Sequence, residues 1–576
     1  MRKLVWLLIP FCFVSRSHAD PVEDSIKRVN AHISIEDYRS ACLEARTVIT
    51  EFPKSLDAVG AYIRAHAKAG DEKEMLRAWK YYCTLSEDPY KNRELPEAMG
   101  WSIIDKGSKS CSPLVRVIAL LGAYFAQDAR GIRVIRRSLR DFDAMVRDVA
   151  LQIAATLKDD CLLYEVLNLY QMEQIWSVRL TAIKAIGKMK IKAALPVLMK
   201  LIENPGAAYE MRAAALESIS EIQDNISRSD LIRLASDSKT GLRELACQLI
   251  VSFERENDLD LVLPLINDHN AEVRAAALHC IGMLRPDKIE GHPIPELIYS
   301  TLNDTNDTVA IMAAWLMTLY DSPKGHEHFI RWLSHGDKNT RIFASAALKA
   351  TGKYGQPLLS QAFNETKDPY VKMNLALGLL SQRISTREAC RALHNTLLEV
   401  KDRLMWKEIF HFRAIAPSIV RHNPAVPHLP EAADSLVRLE VFNALAICND
   451  PHAQESIKKF LEERDPGISA TASSLLLMEG DNRAAEMVEN LLDHPDTNVR
   501  IRSALILALW GEGEKAFPVL RDAYDDADRN MKERILEAFG KIPRENALPF
   551  LIDKLREPNS NLKIIAAAAL LKSMYN

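Results

Sequence analysis

Residues 270–284 read Asn-Ala-Glu-Val-Arg-Ala-Ala-Ala-Leu-His-Cys-Ile-Gly-Met-Leu, and this stretch decides the fold. Asp268 and a polar turn precede it, Val273-Arg274 lies near its start, and apolar residues then recur at helical spacing. The same pattern returns about every 31 residues from residue 112 to the C-terminus. A period of this length indicates one supersecondary unit that is copied along the chain.

The residue at the position of Arg274 marks fifteen successive copies of the unit, which are 31 to 36 residues apart. Alanine stands three positions after the marker in ten copies, and an apolar residue stands seven positions after it in every copy except the one with Arg413. These two positions form an apolar stripe on one helical face. The markers are Arg116, Arg147, Arg179, Arg212, Arg243, Arg274, Ala310, Arg341, Lys372, Trp406, Arg438, Ser469, Arg500, Lys532 and Lys563.

Each copy has room for two helices, of which the first ends near an Asp, Asn or Pro and the second carries the marker. Neither helix is long enough to be stable alone, so each must bury its apolar face against its neighbours. The sequence therefore predicts an all-α fold, namely an α-solenoid: a superhelix of stacked antiparallel helix pairs.

The pattern of residues 268–282 resembles the HEAT repeat, and its short period is similar to that of the subgroup named after phycobilin lyases. The resemblance covers residues 112–576. In that family the marker arginine and the turn aspartate form a ladder of bonds between adjacent repeats. The resemblance therefore implies a structural role, rather than a basic binding stripe, for Arg116, Arg147, Arg179, Arg212, Arg243, Arg274, Arg341, Arg438 and Arg500.

Residues 20–110 form helix pairs of a different kind. The spacing of Tyr38, Ala41, Ala45, Phe52 and Pro53 resembles the tetratricopeptide pattern, although the usual Trp and Leu-Gly positions are missing. An irregular helical cap for the array behind it is the alternative interpretation.

The first nineteen residues are predicted to be a signal peptide. Arg2 and Lys3 precede a short apolar run, and Ser17-His18-Ala19 supplies small residues for a signal peptidase. The run is too short to span a bilayer as a helix, and no later run is apolar enough to do so. We expect export to the periplasm, the cell envelope or the exterior; a cytoplasmic protein with an apolar tail is the alternative.

The pattern breaks near residue 410. Trp406 stands at the marker, and prolines at 417, 424, 427 and 430 occupy the place of a first helix. We expect an irregular segment at 417–435, which is either a hinge or a degenerate repeat filled by aromatic side chains. The predicted organisation is a signal peptide (1–19), a helical cap (20–110), a first HEAT-like array (111–416), this segment, and a second array (436–576).

The residues five positions after the marker are mixed in character, which predicts that this register of the second helix faces solvent. In the HEAT family the second helix lines the concave side. Trp315 is unusually large and apolar for a residue in this register, and a partly exposed Trp is a common interface anchor. We therefore predict a partner-binding patch of Gln248, His279, Trp315 and His411; packing of Trp315 against a local helix is the alternative.

Catalytic motifs are missing from the sequence, which has no phosphate loop, no G-x-S-x-G and no H-E-x-x-H. We predict no catalytic residue, no metal ligand and no cofactor. The formal charge of −3 becomes −6 when Arg2, Lys3 and Arg16 leave with the signal peptide, which counts against nucleic acid as a partner. The cysteines outside the signal peptide form no C-x-x-C and are expected to be buried, with disulfides left open.

These features favour a non-enzymatic scaffold or adaptor of the cell envelope or exterior that binds other proteins along the concave surface of the solenoid. Two alternatives remain. One is a lyase or chaperone-like activity similar to that of the phycobilin lyases, and the other is nucleic-acid binding.

Overall fold

The computed structural model of the protein describes residues 21–574 except 205, 224, 410–411, 420–428, 451, 463–467, 469–470, 473 and 476–487. The predicted signal peptide lies outside the described residues. Helices in antiparallel pairs dominate the described part of the chain, so the prediction of an all-α solenoid is confirmed.

The N-terminal part forms α1 (Pro21–Ser34), α2 (Tyr38–Glu51), α3 (Leu56–Ala69), α4 (Glu72–Leu85), α5 (Glu94–Gly107), α6 (Pro113–Phe125) and α7 (Arg130–Ser138). The central part begins with α8 (Ala144–Leu157), α9 (Leu163–Met172), α10 (Trp176–Lys188), α11 (Leu195–Glu203), α12 (Tyr209–Gln223), α13 (Arg228–Ala235), α14 (Thr240–Ser252), α15 (Ala271–Leu284), β1 (Lys288–Ile289), β2 (His292–Pro293) and α16 (Ile294–Leu297).

The central part continues with α17 (Asp307–Leu319), α18 (Pro323–His335), α19 (Lys338–Lys349), α20 (Gln356–Glu365), α21 (Pro369–Ser381), α22 (Thr386–Glu399), β3 (Leu404–Ile409), β4 (Phe412–Pro417), α23 (Leu429–Ile447) and α24 (Ala453–Lys458). The C-terminal part contains α25 (Thr497–Trp510), α26 (Gly513–Tyr524), α27 (Arg529–Phe539), α28 (Arg544–Lys554) and α29 (Ser560–Ser573).

Side-chain caps explain why many second helices begin where they do. Asn270 accepts from the backbone N–H groups of Glu272 and Val273 at the start of α15, and Asn306 caps α17 in the same way. These bonds satisfy donors that a helix start leaves without an intrahelical partner. In these repeats the polar turn therefore sets the first residue of the second helix.

The chain divides into two compact units, of which one contains residues 151–510. In this unit the second helices of consecutive repeats pack side by side, as α10 does with α12, α14 with α15, and α19 with α21. The alanines three positions after the marker lie in these contacts: Ala182, Ala246 and Ala344 are completely buried. Small residues at these positions let neighbouring helices approach closely.

The other unit contains residues up to 150 together with 511–576. Within it the last helix, α29, packs against α5 and α6. A Cβ added to Gly107 of α5 would lie 2.7 Å from Cδ1 of Ile564, and one added to Gly100 would lie 3.0 Å from Cγ of Leu571. The glycines allow α29 to approach α5 closely, so the final repeat is a direct neighbour of the first.

The interpretation of Trp406 as the marker of a helical repeat is wrong. Strands β3 and β4 pair in an antiparallel hairpin in which Trp406 of β3 lies opposite Ile415 of β4. Along β4 the exposed Arg413 is the exception among the buried Phe412, Ala414, Ile415 and Ala416, so side chains on both faces of this strand are buried. Helix periodicity therefore stops in this copy of the unit.

The predicted irregular segment 417–435 extends too far toward the C-terminus. Helix α23 begins at Leu429, inside that segment, although Pro430 follows at once. Proline is tolerated in the first turn of a helix because the backbone N–H that it lacks has no intrahelical partner there. Residues 424 and 427 lie outside the described residues.

Candidate interaction surface

The turn aspartate of a repeat is bonded by the arginines of two successive repeats. Arg243 donates from Nε and Nη2 to Oδ2 and Oδ1 of Asp268 at 2.7 and 2.9 Å. Arg274, the next marker, donates from Nη1 to the Asp268 carbonyl at 2.9 Å. Arg243 also reaches back to the carbonyl of Asp237 at 2.8 Å. Each arginine therefore joins its own turn to the turn of the following repeat.

The same carboxylate contact recurs in other repeats: Arg116–Asp141, Arg212–Asp237, Arg274–Asp304 and Arg341–Asp368. The remaining predicted arginines make other contacts. Arg147 donates to the Asp141 carbonyl, Arg179 lies over the Tyr170 ring, Arg438 pairs with Asp434 of its own helix, and Arg500 donates to the His494 carbonyl. All nine arginines therefore have contacts within the chain.

The ladder shifts the titration of its carboxylates. Burial by itself opposes ionisation of Asp268, but the hydrogen bonds from Arg243 and from the N–H of Asn270 outweigh it and lower the pKa of this carboxyl. The pKa of Asp304 is lowered in the same way, against its burial, by bonds from Arg274 and the N–H of Asn306. Both carboxylates thus remain ionised at neutral pH, although each lies at a repeat boundary with little solvent.

A row of exposed side chains runs across four consecutive second helices, α8, α10, α12 and α14. It consists of Gln152, Lys184, Glu217 and Gln248, each five positions after a marker, and we call it the second-helix surface. Partial burial raises the pKa of the Glu217 carboxyl, the charge of Lys184 opposes this rise, and Glu221 adds to it. The surface is therefore polar and carries both signs of charge.

In the next two repeats the same register is buried. His279 is 8 % exposed and Trp315 is 4 % exposed. Their rings are stacked with centroids 6.2 Å apart, and Phe412 of β4 meets the Trp315 ring edge-on at 5.4 Å. The indole N–H of Trp315 donates to the carbonyl of Ala350 at 3.1 Å. We call His279, Trp315 and Phe412 the hairpin cluster.

Two polar side chains fix the hairpin to the helices beneath it. The completely buried Asn374 of α21 donates to the Ile415 carbonyl at 3.1 Å and accepts from the Ile415 N–H at 2.8 Å. Lys349, the last residue of α19, donates to the carbonyl of Arg413 at 2.5 Å. Burial, with a smaller contribution from the charge of Arg413, lowers the pKa of Lys349 to about 8. The hairpin is thus docked by main-chain bonds as well as by its apolar face.

Family comparisons match the repeats directly. The HEAT-repeats family matches residues 132–220, 165–250 and 484–571, and a second HEAT-repeat family matches residues 259–284, which contain the stretch that defines the period. The matched residues of the chain are HEAT repeats. None of the curated proteins compared with it matches.

Solved structures similar to this protein share little sequence with it. The Escherichia coli protein YibA is 17 % identical, with 48 % of this chain and 99 % of that chain covered and a TM-score of 0.33. The UNC-45 chaperone is 13 % identical, with 96 % and 78 % covered and a TM-score of 0.32. The CpcE–CpcF phycocyanin lyase complex of Nostoc is 15 % identical, with 52 % and 94 % covered and a TM-score of 0.21.

The structure separates the members of the predicted partner-binding patch. Gln248 is exposed on the second-helix surface, whereas His279 and Trp315 meet below the hairpin. The expectation that Trp315 faces solvent is wrong, and the alternative of local packing describes it. His411 adjoins Phe412 but lies outside the described residues. Partner binding by these residues stays a prediction.

Sequence reasoning missed the hairpin cluster because it treated residues 404–417 as a weak helical repeat. The sequence of β4, Phe-Arg-Ala-Ile-Ala-Pro, offered only a short apolar run that is interrupted by one charged residue and ends at a proline. The described residues contain no group of His, Cys, Asp and Glu side chains placed to hold a metal ion. Among them, too, no helix is both long and apolar enough to cross a membrane.

Proposed function

We propose that the protein is a scaffold or adaptor that binds other proteins along the second-helix surface, in the cell envelope or outside the cell. The observation that supports partner binding most is the row formed by Gln152, Lys184, Glu217 and Gln248 on consecutive stacked helices. Stacking holds these side chains on a rigid frame, so one partner can contact several repeats at once.

The charge of the row favours a protein partner with a mixed surface. Lys184 lies close enough to Glu217 for its charge to oppose the rise in the pKa of that carboxyl, and uncharged amides stand at both ends of the row. A surface that binds a polyanion needs a net positive stripe, which this row does not provide. Complementary charges on a protein partner would instead give orientation and specificity.

A charge reversal on the surface tests the binding proposal. Lys184→Glu adds a third carboxylate beside Glu217 and Glu221. Partners that contact this surface with an acidic group should therefore be recovered from the native compartment with the variant in at least tenfold lower amounts than with wild type. The matched control is Lys200→Glu, which changes an exposed lysine on α11, the first helix of its repeat. Equal recovery of every partner by Lys184→Glu and wild type would contradict binding at this surface.

The location is tested separately. A chain that is exported through the predicted signal should begin at Asp20, and the mature protein should be recovered from the envelope or the medium. Intact-mass analysis of the native protein measures this directly. A chain that keeps Met1 or Arg2 and stays in the cytoplasmic fraction would contradict the proposed export. The binding proposal would still be decided by the charge-reversal experiment.

A further inference from the structure

A cavity of about 960 Å³ lies between α22 and the segment that joins α23 to α24. This volume is in the range of small-molecule sites. The proposed scaffold function does not use the cavity. Its walls include Arg387, Arg391 and His394 of α22 on one side and Asp450, Ser456 and Lys459 on the other.

His394 stands in this cavity between a serine and an aspartate. Its Nε2 lies 3.3 Å from Oγ of Ser456, and its Nδ1 lies 3.4 Å from Oδ1 of Asp450. The side chains of His394 and Asp450 are 10 % and 9 % exposed, and Ser456 is 6 % exposed although it lines the cavity. A hydroxyl, an imidazole and a carboxylate in this order are the groups that activate a serine nucleophile.

The surrounding chain holds these groups in place. Asp450 also accepts from the N–H of His452 at 3.0 Å, and the preceding Asn449 adopts a left-handed backbone with φ of 60° that turns the chain sharply out of α23. Phe442 of α23 packs edge-on against the His394 ring at a centroid distance of 5.5 Å. Hydrogen bonds above 3 Å are common in catalytic sites without substrate and shorten when substrate binds.

Cys390 is the other nucleophilic type of side chain beside His394. Burial, together with the neighbouring Cys448, raises the pKa of the Cys390 thiol to about 11. This thiol is therefore protonated at neutral pH and is a weak nucleophile. Ser456, which has an imidazole nitrogen at its hydroxyl, is the better candidate.

The rim of the cavity carries an excess of positive charge. Arg387, Arg391 and Lys459 are exposed there, against the carboxylates of Asp450 and Glu455. Arg387 and Arg391 are four positions apart, so they lie on the same face of α22 as His394. Guanidinium groups bind carboxylates and phosphates through paired N–H donors, which selects a ligand with an anionic group.

We propose that Ser456, His394 and Asp450 form an acyl-transfer site for a small ester or thioester that carries a carboxylate or phosphate group. The Ser456 oxygen attacks the acyl carbon while His394 Nε2 takes the hydroxyl proton. The bond to the leaving alcohol or thiol then breaks, and that group takes the proton from His394. Water, deprotonated by the same nitrogen, attacks the acyl-serine, releases the carboxylic acid and restores the hydroxyl. Asp450 is a positioning residue that holds the imidazole.

Covalent labelling tests the nucleophile. A fluorophosphonate probe applied to the full mature chain should modify Ser456, as located by peptide mass mapping. Ser456→Ala should lose this label, and His394→Gln should slow labelling at least a hundredfold because the general base is gone. The matched control Asn395→Ala changes another cavity-lining residue of α22 and should label like wild type. A folded wild-type chain without label at Ser456, or one whose labelling ignores His394→Gln, would overturn the proposal.

Hydrolysis rates test the substrate class and the role of Asp450. The monoester of succinic acid with 4-nitrophenol, which carries a carboxylate, should be hydrolysed at least tenfold faster than neutral 4-nitrophenyl acetate, and Arg387→Gln with Arg391→Gln should abolish this preference. Equal rates for the two esters in wild type would contradict the proposal of an anionic substrate.

The role of Asp450 is tested by the same assay. Asp450→Asn should lower kcat with little change in KM, and Asp450→Glu should restore part of the lost kcat. An unchanged kcat in Asp450→Asn would contradict the role of Asp450 in positioning His394.

Discussion

The guanidinium group of Arg243 donates one hydrogen bond to each carboxylate oxygen of Asp268, at 2.7 and 2.9 Å, across the boundary between two repeats. The side chains are 6 % and 7 % exposed, so the pair is almost completely desolvated. A buried ion pair contributes little compared with an apolar pair of the same size, but removal of one partner leaves an uncompensated buried charge.

Arg243→Ala should therefore destabilise the boundary between α14 and α15 by about 3 kcal/mol. Native-state hydrogen exchange of the amides in these two helices measures the loss. The control is Arg529→Ala, because Arg529 pairs with Glu533 at the surface with 54 % of its side chain exposed, and such pairs contribute less than about 1 kcal/mol. Losses of the same size in both variants would contradict the ladder as the element that joins repeats.

Acid should weaken the same boundaries. The pKa values of Asp268 and Asp304 lie below the ordinary value of 3.8, so the folded chain binds these protons less readily than the unfolded chain does. Their stabilisation is complete above the unfolded pKa and is lost as the pH falls through the folded pKa. The midpoint of urea unfolding should drop below about pH 4, and Asp304→Asn should reduce that drop while it lowers the midpoint at neutral pH. A variant with the wild-type pH profile would contradict this assignment.

Gly282→Ala should disturb the hairpin cluster. A Cβ at this position of α15 would lie 2.3 Å from two carbons of the Trp315 ring, so the indole must shift from its position against His279 and Phe412. We expect a loss of about 1–3 kcal/mol, seen as faster amide exchange in residues 412–417. Gly60→Ala is the control, since its nearest contact would be an ordinary 3.7 Å. Unchanged exchange in β4 would show that Trp315 does not seat the hairpin.

Ile564→Ala in the last helix should destabilise helices near the start of the chain. Ile564 is 2 % exposed and packs against the position of Gly107 in α5. Removing its buried methyl and methylene groups should cost about 2–4 kcal/mol, with the loss of exchange protection shared by α5, α6 and α29. Arg534→Ala, an exposed change in α27, is the control. Loss confined to α29 would mean that the ends unfold independently, as the repeat pattern alone predicts.

The period made the helix pairs and the turn arginines predictable, because both depend on residues close in sequence. Three features depend on distant residues and left no periodic trace. Phe412 of β4 packs against Trp315 of an earlier repeat. His394 contacts Ser456, which is 62 residues away in the sequence. Arg556 donates to the carbonyl of Leu76 across 480 residues. Helical spacing predicts which face of a helix is apolar, but not which distant segment covers that face.

Site-specific photo-crosslinking tests partner binding at the second-helix surface most directly. A photoreactive phenylalanine replaces Gln248 on α14 in one variant and Lys200 on the first helix α11 in the other, both exposed positions. After irradiation in the native compartment, the Gln248 variant should form a discrete crosslinked species with another protein, and the Lys200 variant should not. Crosslinks of equal yield at both positions, or none at Gln248, would contradict the account.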